Sequence, residues 1–283
     1  MTIRRVFRVQ QSREMKEGAG VTVRRAMGHI DTDVMDPFLL LDDFGSDNPD
    51  EFKAGFPWHP HRGIETVTYM LEGKVAHEDS TGGSGVIRPG EVQWMTAGSG
   101  IIHQEMPDPK EDSIRGLQLW VNLPSSKKMT DPKYRGLSRD DMPEVELDDG
   151  IRIKIIAGEV GGMKGPVEGI AVDPEYLDVK MPANSDFNHP VDEEHTVLAY
   201  VVEGEAVFGS NQDRVSKGNL VVLTDGDQVR VQTGPEEARF ILVSGKPLNE
   251  SIAWRGPIVM NTQEEIRTAF MEYRQGTFVK TST

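Results

Sequence analysis

Two pairs of residues in the first half of the sequence have the types and spacing of a metal site: His59 with His61, and His103 with Glu105. In an extended strand, residues i and i+2 point to the same face, so each pair can present two ligands to one ion. Pro60, between the first two, belongs at a strand start or a sheet edge. Three neutral imidazoles and one carboxylate suit Fe(II), Mn, Co, Ni, Cu(II) or Zn. We therefore predict one divalent transition-metal site where these two segments meet.

The elements that would position these residues are predicted to be β-strands. Apolar and polar residues alternate in segments such as Ile151–Ile155, Leu177–Met181 and Val229–Gln232, as they do in half-buried strands. Gly and Pro punctuate the chain roughly every eight to twelve residues, which is typical of a sandwich or barrel. The predicted fold class is all-β. A single helix is expected near the end, where Thr262 and Glu265 form a capping-box pattern before an apolar face that includes Ile266.

An internal repeat divides the chain into two similar halves. The segment Tyr69–Gly73 (YMLEG) matches Tyr200–Gly204 (YVVEG) 131 residues later, and Pro89–Thr96 matches Lys217–Thr224 128 residues later. The economical interpretation is two β-barrels in tandem. We place the N-terminal barrel with the metal site at residues 1–124, a surface linker at 125–143, and a degenerate C-terminal barrel with the terminal helix at 144–283.

The second repeat serves as an internal control for the metal site. With these offsets, the positions that correspond to His59, His61, His103 and Glu105 are Pro190, Asp192, Val231 and Thr233. A site present in only one half indicates a function rather than a structural need. His189 and His195 lie nearby but out of register, and we expect them to be ordinary surface or hydrogen-bonded residues.

Composition excludes several classes of protein. The chain has 283 residues, no cysteine, and a formal charge of −15 from 31 basic and 46 acidic residues. Disulfides and thiolate sites are therefore absent, and the acidic surface disfavours direct nucleic-acid binding. No apolar run approaches the ~18 residues of a membrane helix, and the N-terminus lacks the apolar region of a secretory signal. We expect a cytoplasmic protein that binds neither membranes nor nucleic acid.

Several long motifs, in this order along the chain, identify a family. They are Asp36–Gly45 (DPFLLLDDFG), His59–Tyr69 (HPHRGIETVTY), Gln93–Glu105 (QWMTAGSGIIHQE), Gly116–Pro124 (GLQLWVNLP) and Val259–Thr262 (VMNT). The chain resembles the pirin family of bicupins nearly from end to end. The resemblance implies two cupin jelly rolls and a metal, usually iron, in the N-terminal one. The family's ligands carry over onto His59, His61, His103 and Glu105.

Other candidate residues receive lesser roles. Glu65 stands four residues after His61, where many other cupins have a ligand, but the resemblance to pirins favours Glu105, and Glu65 is expected to support a ligating His. His29 and His77 lie outside both ligand strands and are expected to have no part in the site. The aromatic side chains that border the ligand strands could line a mouth suited to a flat aromatic substrate. They are Phe56, Trp58 and Trp94.

Three functions are compatible with such a site. Several pirins and related bicupins resemble quercetin 2,3-dioxygenases, so the leading hypothesis is a dioxygenase acting with O2 on a flavonol or another small enolic aromatic, with Glu105 as the base. A non-catalytic iron-binding regulator would act through a protein partner, and the negative charge permits a basic one. A lyase or isomerase would use the metal only as a Lewis acid. The fold does not separate these alternatives.

Overall fold

Antiparallel strands make up most of residues 1–280, which the computed structural model describes, and they fall into two units that correspond to the predicted barrels. The unit that we call the N-terminal barrel comprises residues 13–31, 38–139 and the chain from Leu248 onward. The unit that we call the C-terminal barrel comprises residues 1–12, 32–37 and 140–247. No helix within residues 1–280 is long and apolar enough to cross a membrane.

The N-terminal barrel contains two main sheets. The larger sheet has seven strands, which in spatial order are β12 (Lys133–Leu137), β9 (Val92–Thr96), β6 (Ile64–Glu72), β11 (Ile114–Asn122), β4 (Phe38–Ser46), β3 (Val21–Met27) and β2 (Arg13–Glu17). The smaller sheet has four, namely β5 (Phe56–His61), β10 (Ile101–Pro107), β7 (Val75–Asp79) and β8 (Ser84–Ile87). Apolar side chains from both sheets, such as Met70 and Val75, share one core cluster.

The C-terminal barrel is built around one nine-stranded sheet. Its main path is β1 (Val6–Gln11), β21 (Asn219–Leu223), β19 (Thr196–Phe208), β22 (Gln228–Gly245), β17 (Glu175–Met181), β14 (Arg152–Ala157) and β13 (Glu144–Glu146). Beside it, β18 (Asp186–Pro190) pairs with β22 and β20 (Asp213–Ser216) pairs with β19. A small hairpin of β15 (Glu159–Val160) and β16 (Met163–Lys164) and the four-residue helix α1 (Thr32–Met35) complete it.

The predicted terminal helix is present as α2 (Gln263–Gln275). Thr262 caps it: its hydroxyl accepts a hydrogen bond from the Glu265 amide at 3.2 Å, and the Glu265 carboxylate accepts one from the Thr262 amide at 2.8 Å. This confirms the capping box. The buried face of the helix carries Ile266 and Ala269, and the helix packs beside the short hairpin of β23 (Ala253–Arg255) and β24 (Ile258–Met260).

The two units differ from the contiguous boundaries that we expected, 1–124, 125–143 and 144–283. Strand β1 pairs with β21 and so belongs to the C-terminal barrel, whereas α2 belongs to the N-terminal one. Within the expected linker, β12 pairs with β9 and extends a sheet. Unpaired edges of a sheet offer free backbone donors and acceptors to any segment of the chain that reaches them, and a sequence repeat does not show which segment does so.

The strand pairing corrects the alignment of the two repeats at the ligand strands. In the N-terminal barrel, His61 pairs with Ile101. The residue 128 positions after Ile101 is Val229, and its partner is His189 rather than Asp192. The expectation that no histidine recurs is therefore wrong, because His189 occupies the position of His61. The offset is 128 before the loop that joins β18 to β19 and 131 after it, so this loop is longer than its counterpart between β5 and β6.

The other two imidazole positions are not retained in the second repeat. In the N-terminal barrel His103 pairs with His59, and in the C-terminal barrel Val231 pairs with Phe187. The second barrel thus keeps one imidazole of the three, and its role there must differ.

Candidate metal centre

Two neighbouring strands, β5 and β10, bring the three histidines together. The strands are antiparallel, with His103 opposite His59 and Ile101 opposite His61. Burial alternates along β10, so His103 and Glu105 share its inner face. A register shift after His103 then sets Glu105 opposite Phe56. The expected meeting of the two segments is thus achieved by direct pairing.

The imidazole nitrogens converge on one point. One ligand atom from each of His59, His61 and His103 lies within 4.8 Å of the other two. His59 Nε2 lies 3.1 Å from His61 Nε2 and 2.8 Å from His103 Nε2. Three nitrogens at such spacing surround a position that one cation could occupy.

The remaining ring nitrogens show which atoms are available for a metal. His59 Nδ1 donates to the Pro57 carbonyl at 2.8 Å, and His61 Nδ1 donates to the Pro257 carbonyl at 3.2 Å. In neutral rings the proton is therefore on Nδ1, and both Nε2 atoms present lone pairs to each other with no hydrogen between them. Such an arrangement is repulsive unless a cation lies between the nitrogens. The donor set thus fits a transition metal, and backbone carbonyls orient the ligands as is common in metal sites.

Burial keeps the rings of His61 and His103 neutral. His61 is 1% exposed and His103 is 0% exposed. Desolvation, followed by the neighbouring imidazoles, lowers the pKa of both groups well below the usual range of histidine. Because only the neutral imidazole binds a metal, these two side chains are in the form that binds a metal at neutral pH.

Glu105, the predicted fourth ligand, lies beside the histidines but outside the group of three. Its carboxylate is buried, and it accepts hydrogen bonds from Thr68 Oγ1 at 3.0 Å and from Gln118 Nε2 at 3.0 Å. Gln118 in turn accepts a hydrogen bond at 3.2 Å from the indole nitrogen of Trp120. Residues of the larger sheet therefore determine where the Glu105 carboxylate lies.

A cavity of about 640 Å³ opens beside His59 and His61. Aromatic side chains from four different segments line it: His29, Phe56, Trp120 and Trp254. Its polar side carries Arg25, which donates to both carboxylate oxygens of Asp42 at 2.9 and 2.8 Å. The site thus combines buried metal donors with an aromatic cavity large enough for a small ligand.

Two family models match the chain. The model described as Pirin covers residues 20–121, and the model described as Pirin C-terminal cupin domain covers residues 176–279. The chain belongs to the pirin family. A pirin-like protein of Caulobacter vibrioides is 42% identical over 98% of this chain and 100% of its own length. Human pirin is 42% identical over 93% of this chain and 90% of its own length.

A solved structure has the same fold as this pirin. The structure of quercetin 2,3-dioxygenase from Acinetobacter baumannii has a TM-score of 0.90 and 34% identity, with 98% of this chain and 99% of that chain covered. The prediction of two tandem cupin barrels with a short C-terminal helix is confirmed.

In this pirin, Glu65 is occupied by contacts on the larger sheet. It accepts hydrogen bonds from Trp94 Nε1 at 3.0 Å and from Thr96 Oγ1 at 2.7 Å. Burial raises the pKa of Glu65 despite these two donors. Its carboxylate oxygens are thus engaged away from the three imidazoles, and it is not a member of their group.

The two histidines that we expected to play no part lie close to the site. His77 is buried, pairs with Glu105 across β7 and β10, and has its ring centroid 5.3 Å from that of His103. His29 lines the cavity and lies 5.3 Å from the Trp254 ring. Sequence position alone could not show either neighbour, because both come from strands or turns outside the two ligand segments.

The aromatic lining of this pirin is only partly the predicted one. Phe56 lines the cavity as expected, but Trp94 is buried in β9 and Trp58 is 49% exposed outside the lining. Trp120 and Trp254 take their place. The sequence could have indicated Trp120, because Gln118 and Trp120 lie two residues apart and therefore on one face of β11. It gave no indication of Trp254 or Pro257, which come from the opposite end of the sequence.

Proposed function

We propose that this protein is a metal-dependent dioxygenase that cleaves the ring of a flavonol such as quercetin with O2. The observation that carries the proposal is the convergence of three histidine Nε2 atoms at the edge of an aromatic cavity of about 640 Å³. The similarity to a quercetin 2,3-dioxygenase of Acinetobacter baumannii at 34% identity supports the substrate class.

In this proposal His59, His61, His103 and Glu105 hold one Fe(II). The three imidazoles supply neutral nitrogen donors, and the carboxylate supplies a charge that lowers the net charge of the centre. As the Glu105 carboxylate reaches the metal, Thr68 would either give up its hydrogen bond to this carboxylate or rotate together with it. A bound Fe(II) would supply Lewis acidity toward an enolic oxygen and redox chemistry toward O2.

Glu105 is also the proposed base. It shares the inner face of β10 with His103, and its hydrogen bonds from Thr68 and Gln118 hold it in a defined orientation. It would accept the proton of the substrate's enolic hydroxyl, which makes the ring electron-rich enough to react with O2.

The cavity would hold the flat substrate against its aromatic side chains. Trp120 and Trp254 lie 5.8 Å apart between ring centroids, and Trp120 lies 5.1 Å from His61. A planar aromatic packed against these rings would have its hydroxyl groups near the imidazoles and would displace water from the reacting edge.

The test is anaerobic loading of the protein with Fe(II), followed by O2 uptake and loss of flavonol absorbance with quercetin. We expect His61→Ala to lose metal and turnover together, and Glu105→Gln to lose turnover more than metal. Glu78→Gln is the matched control, because Glu78 lies exposed on the neighbouring strand β7 and should leave both properties unchanged.

Two outcomes would favour the other functions. Tight iron binding with no O2 uptake would support the iron-binding regulator, and a partner search with reduced and oxidised protein would follow. Turnover that is independent of O2 would support the lyase or isomerase. A Glu105→Gln variant with the wild-type rate would refute the role of Glu105 as the base.

A further inference from the structure

The C-terminal barrel has a cavity of its own, with a volume of about 590 Å³. Glu175, His195 and Ser244 lie in its wall, together with Pro190 at the end of β18. These residues are remote in sequence from the metal ligands, and the dioxygenase proposal does not use them.

Strand pairing shows that this cavity occupies the same place in its barrel as the aromatic cavity in the other. In the N-terminal barrel Trp120 of β11 pairs with Leu40 of β4, and both line the aromatic cavity. Thr66 of β6 pairs with Trp120, and its counterpart 131 residues later, Val197 of β19, pairs with Ser244. The equivalent pair in the C-terminal barrel is therefore Ser244 of β22 with Glu175 of β17. An apolar pair has thus been exchanged for a hydroxyl and a carboxylate. Burying such groups is costly unless they are hydrogen-bonded, so their hydrogen-bond partners show how they are held at the wall of the cavity.

These polar groups form one hydrogen-bonded chain. Ser244 Oγ donates to Glu175 Oε2 at 3.0 Å, and His189 Nε2 donates to Glu175 Oε1 at 3.0 Å. Since the single Ser244 proton points to Glu175, the 3.4 Å contact between His195 Nδ1 and Ser244 Oγ is a donation from the imidazole. His189, which occupies the position of His61, therefore contacts a carboxylate instead of facing two other imidazoles.

The direction of this chain determines what His195 offers to the cavity. With the proton on Nδ1, the neutral ring has a lone pair on Nε2, and within residues 1–280 no group donates to that atom. His195 is only 9% exposed, and its ring lines the cavity. His195 Nε2 can therefore accept a hydrogen bond from a ligand in the cavity that carries an N–H or O–H group.

The charge around the cavity selects among such ligands. Glu168, Asp173 and Asp192 line it in addition to Glu175, and the one lysine in the lining, Lys164, lies 3.6 Å from the Glu159 carboxylate. The cavity is thus strongly negative and rich in acceptors. We propose that it binds a small organic cation with N–H donors, such as a primary amine or diamine, with His195 Nε2 and the Glu175 carboxylate at its inner end.

The test is calorimetric titration of the full-length, metal-loaded protein with three probes of similar length: putrescine, 1,4-butanediol and succinate. We expect saturable 1:1 binding of putrescine and no binding of the neutral or the anionic probe. Glu175→Gln and His195→Phe should each weaken putrescine binding on the order of tenfold, since the first removes the negative charge that faces the ammonium group and the second removes the imidazole acceptor. Added salt should weaken binding as well, because the outer carboxylates are exposed.

Glu193→Gln is the matched control, because Glu193 is an exposed carboxylate beside Asp192 that does not line the cavity. It removes the same charge from the same loop and should leave the affinity unchanged. If Glu175→Gln fails to fold, Asp173→Asn takes its place, because it removes a carboxylate from the exposed edge of the same cavity. No heat of binding with putrescine, equal binding of 1,4-butanediol, or equal losses in Glu193→Gln and Glu175→Gln would each overturn the proposal.

Discussion

Replacing Gln118 by Leu separates a positioning role for this side chain from a merely structural one. Gln118 Nε2 donates to Glu105 Oε2 at 3.0 Å, and Gln118 Oε1 accepts from Trp120 Nε1 at 3.2 Å. The side chain thus connects the aromatic wall of the cavity to the proposed fourth ligand. Leucine keeps much of its volume but has neither the donor nor the acceptor.

The expected magnitudes follow from these two hydrogen bonds. A bond to a charged group contributes about 1.5–3 kcal/mol and one between neutral groups about 1 kcal/mol, so the free energy of unfolding should fall by roughly 2–4 kcal/mol. For a chain of this size that lowers Tm by roughly 5–10 °C. Loss of a residue that orients a ligand weakens metal binding by about 10–100-fold, which is roughly 1.4–2.7 kcal/mol of binding free energy.

The assay has two readouts on the same samples: thermal unfolding of the metal-free protein, and Fe(II) or Mn(II) affinity by competition with a chelator. Gln93→Leu is the control, because Gln93 is buried in β9 of the same sheet but is not one of the groups that donate to Glu105. It should leave metal affinity unchanged. If Gln118→Leu lowers Tm but binds metal within twofold of the wild type, Gln118 does not position Glu105.

Three further predictions concern stability. Fe(II) at about 1,000 times its dissociation constant should stabilise the fold by about 4 kcal/mol and so raise Tm. A chelator or His61→Ala should abolish this gain in Tm. A gain that persists in His61→Ala would place the metal elsewhere. Thr262→Ala removes the hydroxyl that accepts a hydrogen bond from the Glu265 amide at the start of α2. The free energy of unfolding, measured by chemical denaturation, should fall by about 1 kcal/mol. No change would mean that the cap contributes nothing to stability. Asp178, with its side chain 1% exposed, accepts hydrogen bonds from Arg239 at 2.9 and 2.7 Å. Asp178→Ala should cost about 3 kcal/mol, because it removes the buried partner of the Arg239 cation, which keeps a longer contact of 3.4 Å with the exposed Glu203. A loss below about 1 kcal/mol would contradict this estimate.

Much of the histidine cluster was predictable because its pattern is local. The i, i+2 spacing of His59 with His61 and of His103 with Glu105 places each pair on one face of a strand in any sheet. That the two segments meet followed from the expectation of a barrel, and the structure adds that they are neighbouring strands with His103 opposite His59. The capping box of the terminal helix was readable for the same reason, since its donors and acceptors lie within one turn.

The surroundings of the centre were not readable from the sequence in this way. Trp254 and the Pro257 carbonyl reach the site from a hairpin far along the chain. Pro257, whose carbonyl contacts His61, lies 196 residues after it. The alignment of His61 with His189 depends on the strand register. Because the loop between β18 and β19 is longer than its counterpart, the offset that applies after the loop does not apply before it.

The strand periodicity, the terminal helix and the pairing of ligand candidates on one strand face were readable from residue types within a few positions of one another. The two-barrel repeat was readable because two distant segments keep a similar sequence. The folded structure was needed to show which side chains line the two cavities and where the Glu105 carboxylate is held. It also decided that the second barrel has a polar chain where the first has Leu40 and Trp120. These features arise from pairing and packing between segments distant in sequence, where a shift of one residue turns every side chain to the opposite face of its strand.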